Sequence, residues 1–161
     1  MKMKMYAVMM FLFVAINDGF AQGDLPIKLS ANMESAQVET NKIEVMRVSF
    51  VNVSSNDVRI LRTFDKRYNQ RIWFSMEVVD QNGTPMTTVA TGGKVSIRGN
   101  MDYITLKPFE SFGFLFDYNE FVAKLTPGRY TAKITYSNQY GSDCFHGSVS
   151  TDHIEVNVPA P

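Results

Sequence analysis

The stretch Arg71-Ile72-Trp73-Phe74-Ser75-Met76-Glu77-Val78-Val79-Asp80-Gln81-Asn82-Gly83 decides the fold class of this chain. Ile72, Phe74, Met76 and Val78 alternate with Arg71, Trp73, Ser75 and Glu77. Alternation with a period of two is what a strand needs to bury one face and wet the other. Asp80-Gln81-Asn82-Gly83 then supplies a turn, because Asn-Gly tolerates the positive backbone angles of a tight hairpin. The spacing predicts a strand through residues 72–78 and a returning strand over Met86 to Val89. The same parity sends Trp73 outward, beside Arg71, Ser75 and Glu77, and the alternative is that it packs across its own sheet against a long arginine side chain or under a loop.

Similar patterns recur on both sides. Ile27 and Leu29 mark a short first strand after Pro26. Ile43 to Val53 is rich in β-branched residues, and its change of parity near Val45-Met46 predicts a bulge or a sheet switch there. Val58 and Ile60 follow the polar turn Asn52–Asp57. Val95 and Ile97 lie beyond the loop that Thr91-Gly92-Gly93 opens. Tyr103 to Leu106 ends at Pro108, and Phe112, Phe114 and Phe116 alternate with Ser111, Gly113 and Leu115 and read as core. Residues 119–125 suit one or two helical turns, stopped by Pro127-Gly128. Tyr130, Ala132, Ile134 and Tyr136 form another alternating strand, and Ile154, Val156 and Val158 the last. Eight or nine short strands at turn-punctuated intervals, with no long helical period, argue for an all-β antiparallel sandwich, with an up-and-down barrel as the alternative.

Residues 1–21 have a different character. Lys2 and Lys4 precede the apolar run Tyr6–Ile16, and Gly19 and Ala21 place small residues before a cut ahead of Gln22. That is the layout of a secretory signal peptide. The run has 11 residues, against the roughly 20 that a membrane-spanning helix requires, so a membrane anchor is the lesser reading. The expectation is an exported chain, periplasmic or extracellular, with no membrane span after removal of the leader. Residues 22–161 then form one domain.

Of 161 residues, 16 are basic and 16 acidic, and without Lys2, Lys4 and Asp18 the remainder is close to neutral. Such a balance gives no general attraction to nucleic acid or acidic lipid. Cys144 is the one cysteine, so the domain relies on packing instead of an internal disulfide. Asn52-Val53-Ser54 and Asn82-Gly83-Thr84 match the N-glycosylation pattern.

Leu125-Thr126-Pro127-Gly128-Arg129-Tyr130, followed by Thr131 to Tyr136, resembles the late-strand region of immunoglobulin-like and fibronectin-like sandwiches. In those folds a tyrosine hydroxyl ties a corner between strands. The resemblance implies that role for Tyr130, with Pro127 and Gly128 making the turn. Leu106-Lys107-Pro108-Phe109-Glu110-Ser111 looks like the Leu-x-Pro-Gly-Glu-Ser turn of exported domains of this kind, with Phe109 where glycine usually stands. Together with Phe50-Val51-Asn52 and Val58–Leu61, the order of these motifs is similar to the β-sandwich domain preceding the catalytic domain of deuterolysin-type metallopeptidases. It is also similar to small secreted proteinase-inhibitor-like sandwiches. The resemblance implies an antiparallel immunoglobulin-like β-sandwich of about seven to nine strands. His-Glu-x-x-His is absent from the sequence, so an accessory or inhibitory role is what that likeness implies.

Catalytic material is scarce, and no catalytic residue or cofactor is assigned. Cys144 and His146, with Asp143, Asp152 and His153 nearby, lack the converging three or four ligands of a zinc or copper site; a small metal-binding protein is the weakest reading. Charge is locally uneven. Arg59, Arg62, Lys66, Arg67 and Arg71 outnumber Asp57 and Asp65, with Phe64, Tyr68 and Trp73 interleaved, while Asp102, Glu110, Asp117 and Glu120 surround Lys107. The leading expectation is a non-catalytic module binding another protein through Trp73 as an aromatic anchor, with Arg71 and Arg67 as its basic rim. The alternative is a peptidase inhibitor or pro-segment-like accessory that presents the loop Thr87–Asn100. Oligomeric state is open.

Overall fold

The computed structural model describes residues 25–38, 41–62, 70–86, 88, 102–122 and 125–158. The leader at 1–21, Arg67 with its neighbours at 63–69, and the strand expected at Val95 and Ile97 lie outside the described residues. So does the loop 87–100 apart from Thr88.

Nine strands, all paired antiparallel, run through the described residues in three sheets. Strands β1 (Ile27–Val38) and β2 (Asn41–Asn52) form the longest ribbon. Their register runs unbroken from Ile27↔Asn52 to Val38↔Asn41. The expected bulge at Val45-Met46 is therefore absent; the register keeps Met46 buried and leaves Val45 half-buried on the opposite face. Strand β2 also pairs with a strand at Ser111–Phe116, with Met46↔Phe116, Val48↔Phe114 and Phe50↔Phe112 side by side. Each such pair sits on one face, since neighbours across a ladder share an orientation.

Strand β3 (Val58–Leu61) pairs with Tyr103–Leu106 in a two-stranded sheet. In chain order β4 is Phe74–Asp80, β5 Tyr103–Leu106, β6 Ser111–Phe116, β7 Gly128–Asn138, β8 Gly147–Ser150 and β9 Ile154–Val158. Strand β7 is the centre of the third sheet, with β4 on one side and β8 and β9 in succession on the other. Thr151 joins those last two strands. Its N–H donates to the Ile134 carbonyl at 2.9 Å, and its hydroxyl accepts the Ile134 N–H at 3.1 Å. One threonine thereby satisfies both backbone groups of a buried position where the ladder is interrupted, as buried peptide groups require.

Inward residues of the β1–β2–β6 sheet meet those of the β4–β7 sheet through aromatic rings. Phe50 lies 4.9 Å edge-on from Tyr136 and 6.3 Å from Phe74, and Phe74 lies 5.6 Å from Phe114 and 5.4 Å from Phe116. These separations suit favourable tilted and edge-to-face ring pairs. Met46, Val48, Met76, Val78, Ala132 and Ile134 complete the buried interior.

Trp73 corrects the sequence-based expectation. The chain enters β4 through a single helical turn, Gln70–Trp73, and not through an extended segment. Residues three apart share a face of such a turn. Gln70 and Trp73 are both buried, while Arg71 is exposed and Ile72 half-buried. Trp73 is 3% exposed and packs edge-on against Tyr140 with ring centres 5.6 Å apart. Period-two alternation holds only from Phe74 onward. The returning strand expected over Met86 to Val89 is reduced, among the described residues, to a bridge between Val79 and Pro85, a Met86-to-Val78 bond and a bridge from Thr88 to Val122.

Candidate interaction site

Asn52 ends β2 and is wholly buried. Buried amides need partners for every polar atom, and this one finds them in two loops at once. Its Nδ2 donates to the carbonyls of Asn56 at 2.7 Å, Leu106 at 3.0 Å and Lys107 at 3.1 Å. Its Oδ1 accepts the Ser54 N–H at 2.9 Å and the Ser54 hydroxyl at 2.8 Å. The Asn52 N–H donates to the Glu110 carbonyl, and its own carbonyl accepts the N–H of Phe109. The loop after β2 and the turn between β5 and β6 are tied to one side chain.

That turn is Lys107-Pro108-Phe109-Glu110, closed by the Glu110 N–H donating to the Lys107 carbonyl at 3.0 Å. Glu110 also turns a carboxylate oxygen back onto the Lys107 N–H at 2.8 Å. Proline in second place with a positive φ in third is the type II pattern, which favours glycine third. Phe109 has φ of 64°. For a phenylalanine this left-handed conformation costs roughly 1–2 kcal/mol. Its ring gains nothing from the core in return, being 77% exposed. Val53, the residue after Asn52, is also exposed and is held by its N–H to the Pro26 carbonyl at 2.9 Å. The tip is therefore a pinned, strained turn that presents a phenyl ring to solvent, with Val53 on the adjoining loop.

At its base Lys107 stands against the carboxylates of Asp57 and Glu110. Lys107 Nζ lies 2.7 Å from an Asp57 carboxylate oxygen, and that hydrogen bond holds the Lys107 ammonium above its ordinary pKa. The pair joins the one lysine of the acidic stretch to an aspartate of the basic stretch. Arg59 instead lies over the Tyr103 ring at 4.1 Å, and Arg62 over Phe112 at 5.4 Å, as guanidinium groups do on aromatic faces.

Of the residues singled out from sequence, Arg71 is exposed, Trp73 is internal and Arg67 lies outside the described residues. Trp73 cannot serve as an exposed anchor. Tyr130 donates its hydroxyl to the Thr126 carbonyl at 2.8 Å, across Pro127 and Gly128, and lies 3.0 Å from the Thr126 hydroxyl. Phe109 was legible only as a departure from a glycine-bearing turn; its exposure depends on which way the turn points. Asn52 gave no signal beyond its sequon, and burial closes that sequon, whereas Asn82 is exposed at its hairpin tip.

The Cys144 segment is built differently. The Cys144 thiol donates to the Tyr140 carbonyl at 3.4 Å, and Asn138 Nδ2 lies 3.6 Å from its sulfur. Burial pushes its pKa up, away from the thiolate that nucleophilic or metal-binding chemistry uses. His146 Nε2 lies 2.9 Å from the Gly141 carbonyl. Among the described residues no three His, Cys, Asp or Glu side chains converge as metal ligands, and no helix is long and apolar enough to cross a membrane. No protein-family model matches the chain, and no curated protein matches it.

Proposed function

We propose that this chain is an exported, non-catalytic interaction module of the immunoglobulin-like β-sandwich kind that engages another protein through the Asn52-pinned turn. The sandwich reading is supported by rings from two sheets meeting in one interior and by the hydroxyl of Tyr130 tied back four residues, the corner such folds use. Export rests on the leader-like residues 1–21.

Phe109 is the observation that carries the binding reading. A large apolar side chain in a conformation suited to glycine, exposed and rigidly held, lowers stability without serving the fold. Strain of that sort gathers where a protein contacts something else. An aromatic group fixed in advance also loses little entropy on binding.

Phe109→Gly tests this directly. Relief of the left-handed strain offsets the extra flexibility of glycine, so the variant matches or exceeds the native protein by up to about 1 kcal/mol in urea. When used as bait in its native secretome it retains at least about tenfold less partner than the native chain, the loss expected for an aromatic anchor. Equal retention by both proteins overturns the proposal.

A further inference from the structure

We propose that Asn82 is a site of spontaneous covalent modification, where the side-chain amide closes onto the Gly83 nitrogen, and that Asp80 restrains this reaction while the hairpin is folded. Asn82-Gly83 is the single Asn-Gly pair in the sequence, and both residues are exposed together with Thr84. Ring closure needs the backbone nitrogen of the following residue to reach the asparagine Cγ. A side chain on that residue crowds the approach, and glycine has none. Other described asparagines lack one condition or the other. Asn52 and Asn138 are buried, while the exposed Asn56 and Asn119 precede Asp57 and Glu120.

Water is the one co-reactant. A bond forms between the Gly83 nitrogen and the Asn82 Cγ, the bond from Cγ to Nδ2 breaks, and the Gly83 proton leaves with Nδ2 as ammonia. Solvent then opens the cyclic imide. Hydrolysis between the nitrogen and Cγ gives aspartate at position 82. Hydrolysis between the nitrogen and the backbone carbonyl carbon gives isoaspartate, with the chain rerouted through Cβ and Cγ. An added Cβ at Gly83 would meet no atom within 4 Å, so solvent has open access to the turn.

The folded hairpin shields the nucleophile. The Gly83 N–H donates to the Asp80 carbonyl at 2.9 Å, and that bond must open before the nitrogen can attack. An Asp80 carboxylate oxygen accepts the N–H groups of Asn82 and Thr84, each at 2.8 Å. The Asp80 N–H donates to the Thr84 carbonyl at 3.0 Å. Asp80 thus holds three successive amides, and reaction proceeds through local opening of the turn, as amide exchange does. Gly83 takes its φ of 79° without strain, so the closed turn has no tendency to spring open. Isoaspartate lengthens the backbone at 82 and shifts Gly83 and Thr84 off the groups of Asp80 that hold them. The end of the hairpin is then left loose, with a new carboxylate two residues from Asp80.

The test follows the full chain in warm neutral buffer, as folded native protein, as native protein in urea and as folded Asp80→Ala. Samples taken over time are mapped by peptide mass spectrometry with chromatographic separation of aspartate from isoaspartate. In urea, loss at Asn82 should run at least about tenfold faster than at Asn56 or Asn119, whose following residues carry side chains. Both products should appear at position 82. Folded native protein should convert at the same position, at least about threefold more slowly than folded Asp80→Ala, which lacks both carboxylate bonds. If Asp80→Ala does not fold, folded native protein against native protein in urea reads the same shielding. Loss at Asn82 in urea no faster than at Asn56, or aspartate without isoaspartate, overturns the ring closure. Folded protein that keeps Asn82 intact while the urea sample converts overturns the site in the native chain. Equal rates in folded native protein and folded Asp80→Ala, or in folded native protein and urea, overturn the restraint by Asp80.

Discussion

The carbonyl of Asn52 accepts the backbone N–H of Phe109 at 3.0 Å, coupling a fully buried amide residue to the most exposed large apolar side chain among the described residues. One residue is hidden and satisfied; the other is strained and presented. The hidden one makes the strain tolerable, because the turn cannot relax without breaking bonds to Asn52.

Asn52→Ala removes three donated and two accepted side-chain bonds at a buried position. The Leu106 carbonyl loses the Asn52 amide, while the Lys107 carbonyl keeps the Glu110 N–H that closes the turn. Leaving buried polar groups unmatched costs about 1–3 kcal/mol each, so a loss of about 3 kcal/mol in urea denaturation is expected. Hydrogen exchange at the Phe109 and Ser54 amides should accelerate before that of the β2–β6 ladder.

Trp73→Ala should destabilise by about 3–5 kcal/mol, as truncation of a buried aromatic does. The ring supports Tyr140 from below, so near-ultraviolet circular dichroism should lose its tryptophan signal together with order in the 139–146 segment. A folded variant of native stability would place the indole at the surface and contradict its burial.

Gly141→Ala meets two obstacles. Its φ is +88°, and an added Cβ would stand 2.7 Å from the Tyr103 hydroxyl and 3.0 Å from the Cys144 sulfur. Either the loop lifts from Tyr103 or the ring moves off Arg59. Strain and overpacking together should cost about 1–3 kcal/mol, measured by thermal or urea unfolding. Gly83→Ala has the same backbone problem but open space around it, and should cost less.

Asp80 gives a pH dependence of defined sign. The backbone N–H of Thr84 leads the interactions that hold its carboxyl below the usual range, with that of Asn82 adding to it. A group with a depressed folded pKa stabilises the fold above its unfolded value, about 3.9 for aspartate, and loses that contribution as pH falls through the folded one. The Asp80 carboxyl resonance should titrate below the ordinary aspartate value. Asp80→Asn should flatten this part of the acid limb of the stability profile.

Side-chain alternation was enough to find most of the strands. Phe112, Phe114 and Phe116, or Ala132, Ile134 and Tyr136, repeat every second residue, and each sequence run carries its own signal. Strand β8 gave almost none, since Val149 is its single large apolar residue among Gly147, Ser148 and Ser150. Its place comes from pairing with β7 and from hydroxyl pairs such as Ser137 with Ser148 at 2.8 Å. The second half of β1 was equally silent because its ladder with β2, and not its apolar content, extends it to Val38.

The candidate site divides in the same way. Pro108 followed by Phe109 at a glycine-like position is a local feature, and a reader of the chain can see it. Asn52 stands more than fifty residues earlier, and no local pattern tells that its amide reaches the carbonyls of Leu106 and Lys107. Trp73 misled because strand parity was carried back into Gln70–Trp73. Gln70 reaches across to β6, donating to the Leu115 carbonyl at 2.8 Å and accepting the Asp117 N–H at 3.1 Å, and those distant partners favour the helical turn.

By itself the chain determined an all-β antiparallel class, the inward phenyl groups and the turn chemistry around Asn82-Gly83, because each depends on neighbours within a few residues. Tertiary structure decided which face Trp73 takes, that Thr151 completes the β7 ladder, and that Phe109 is held outward by Asn52. Those outcomes follow from buried polar groups finding partners far along the chain, and a bond across fifty residues leaves no periodic trace in sequence.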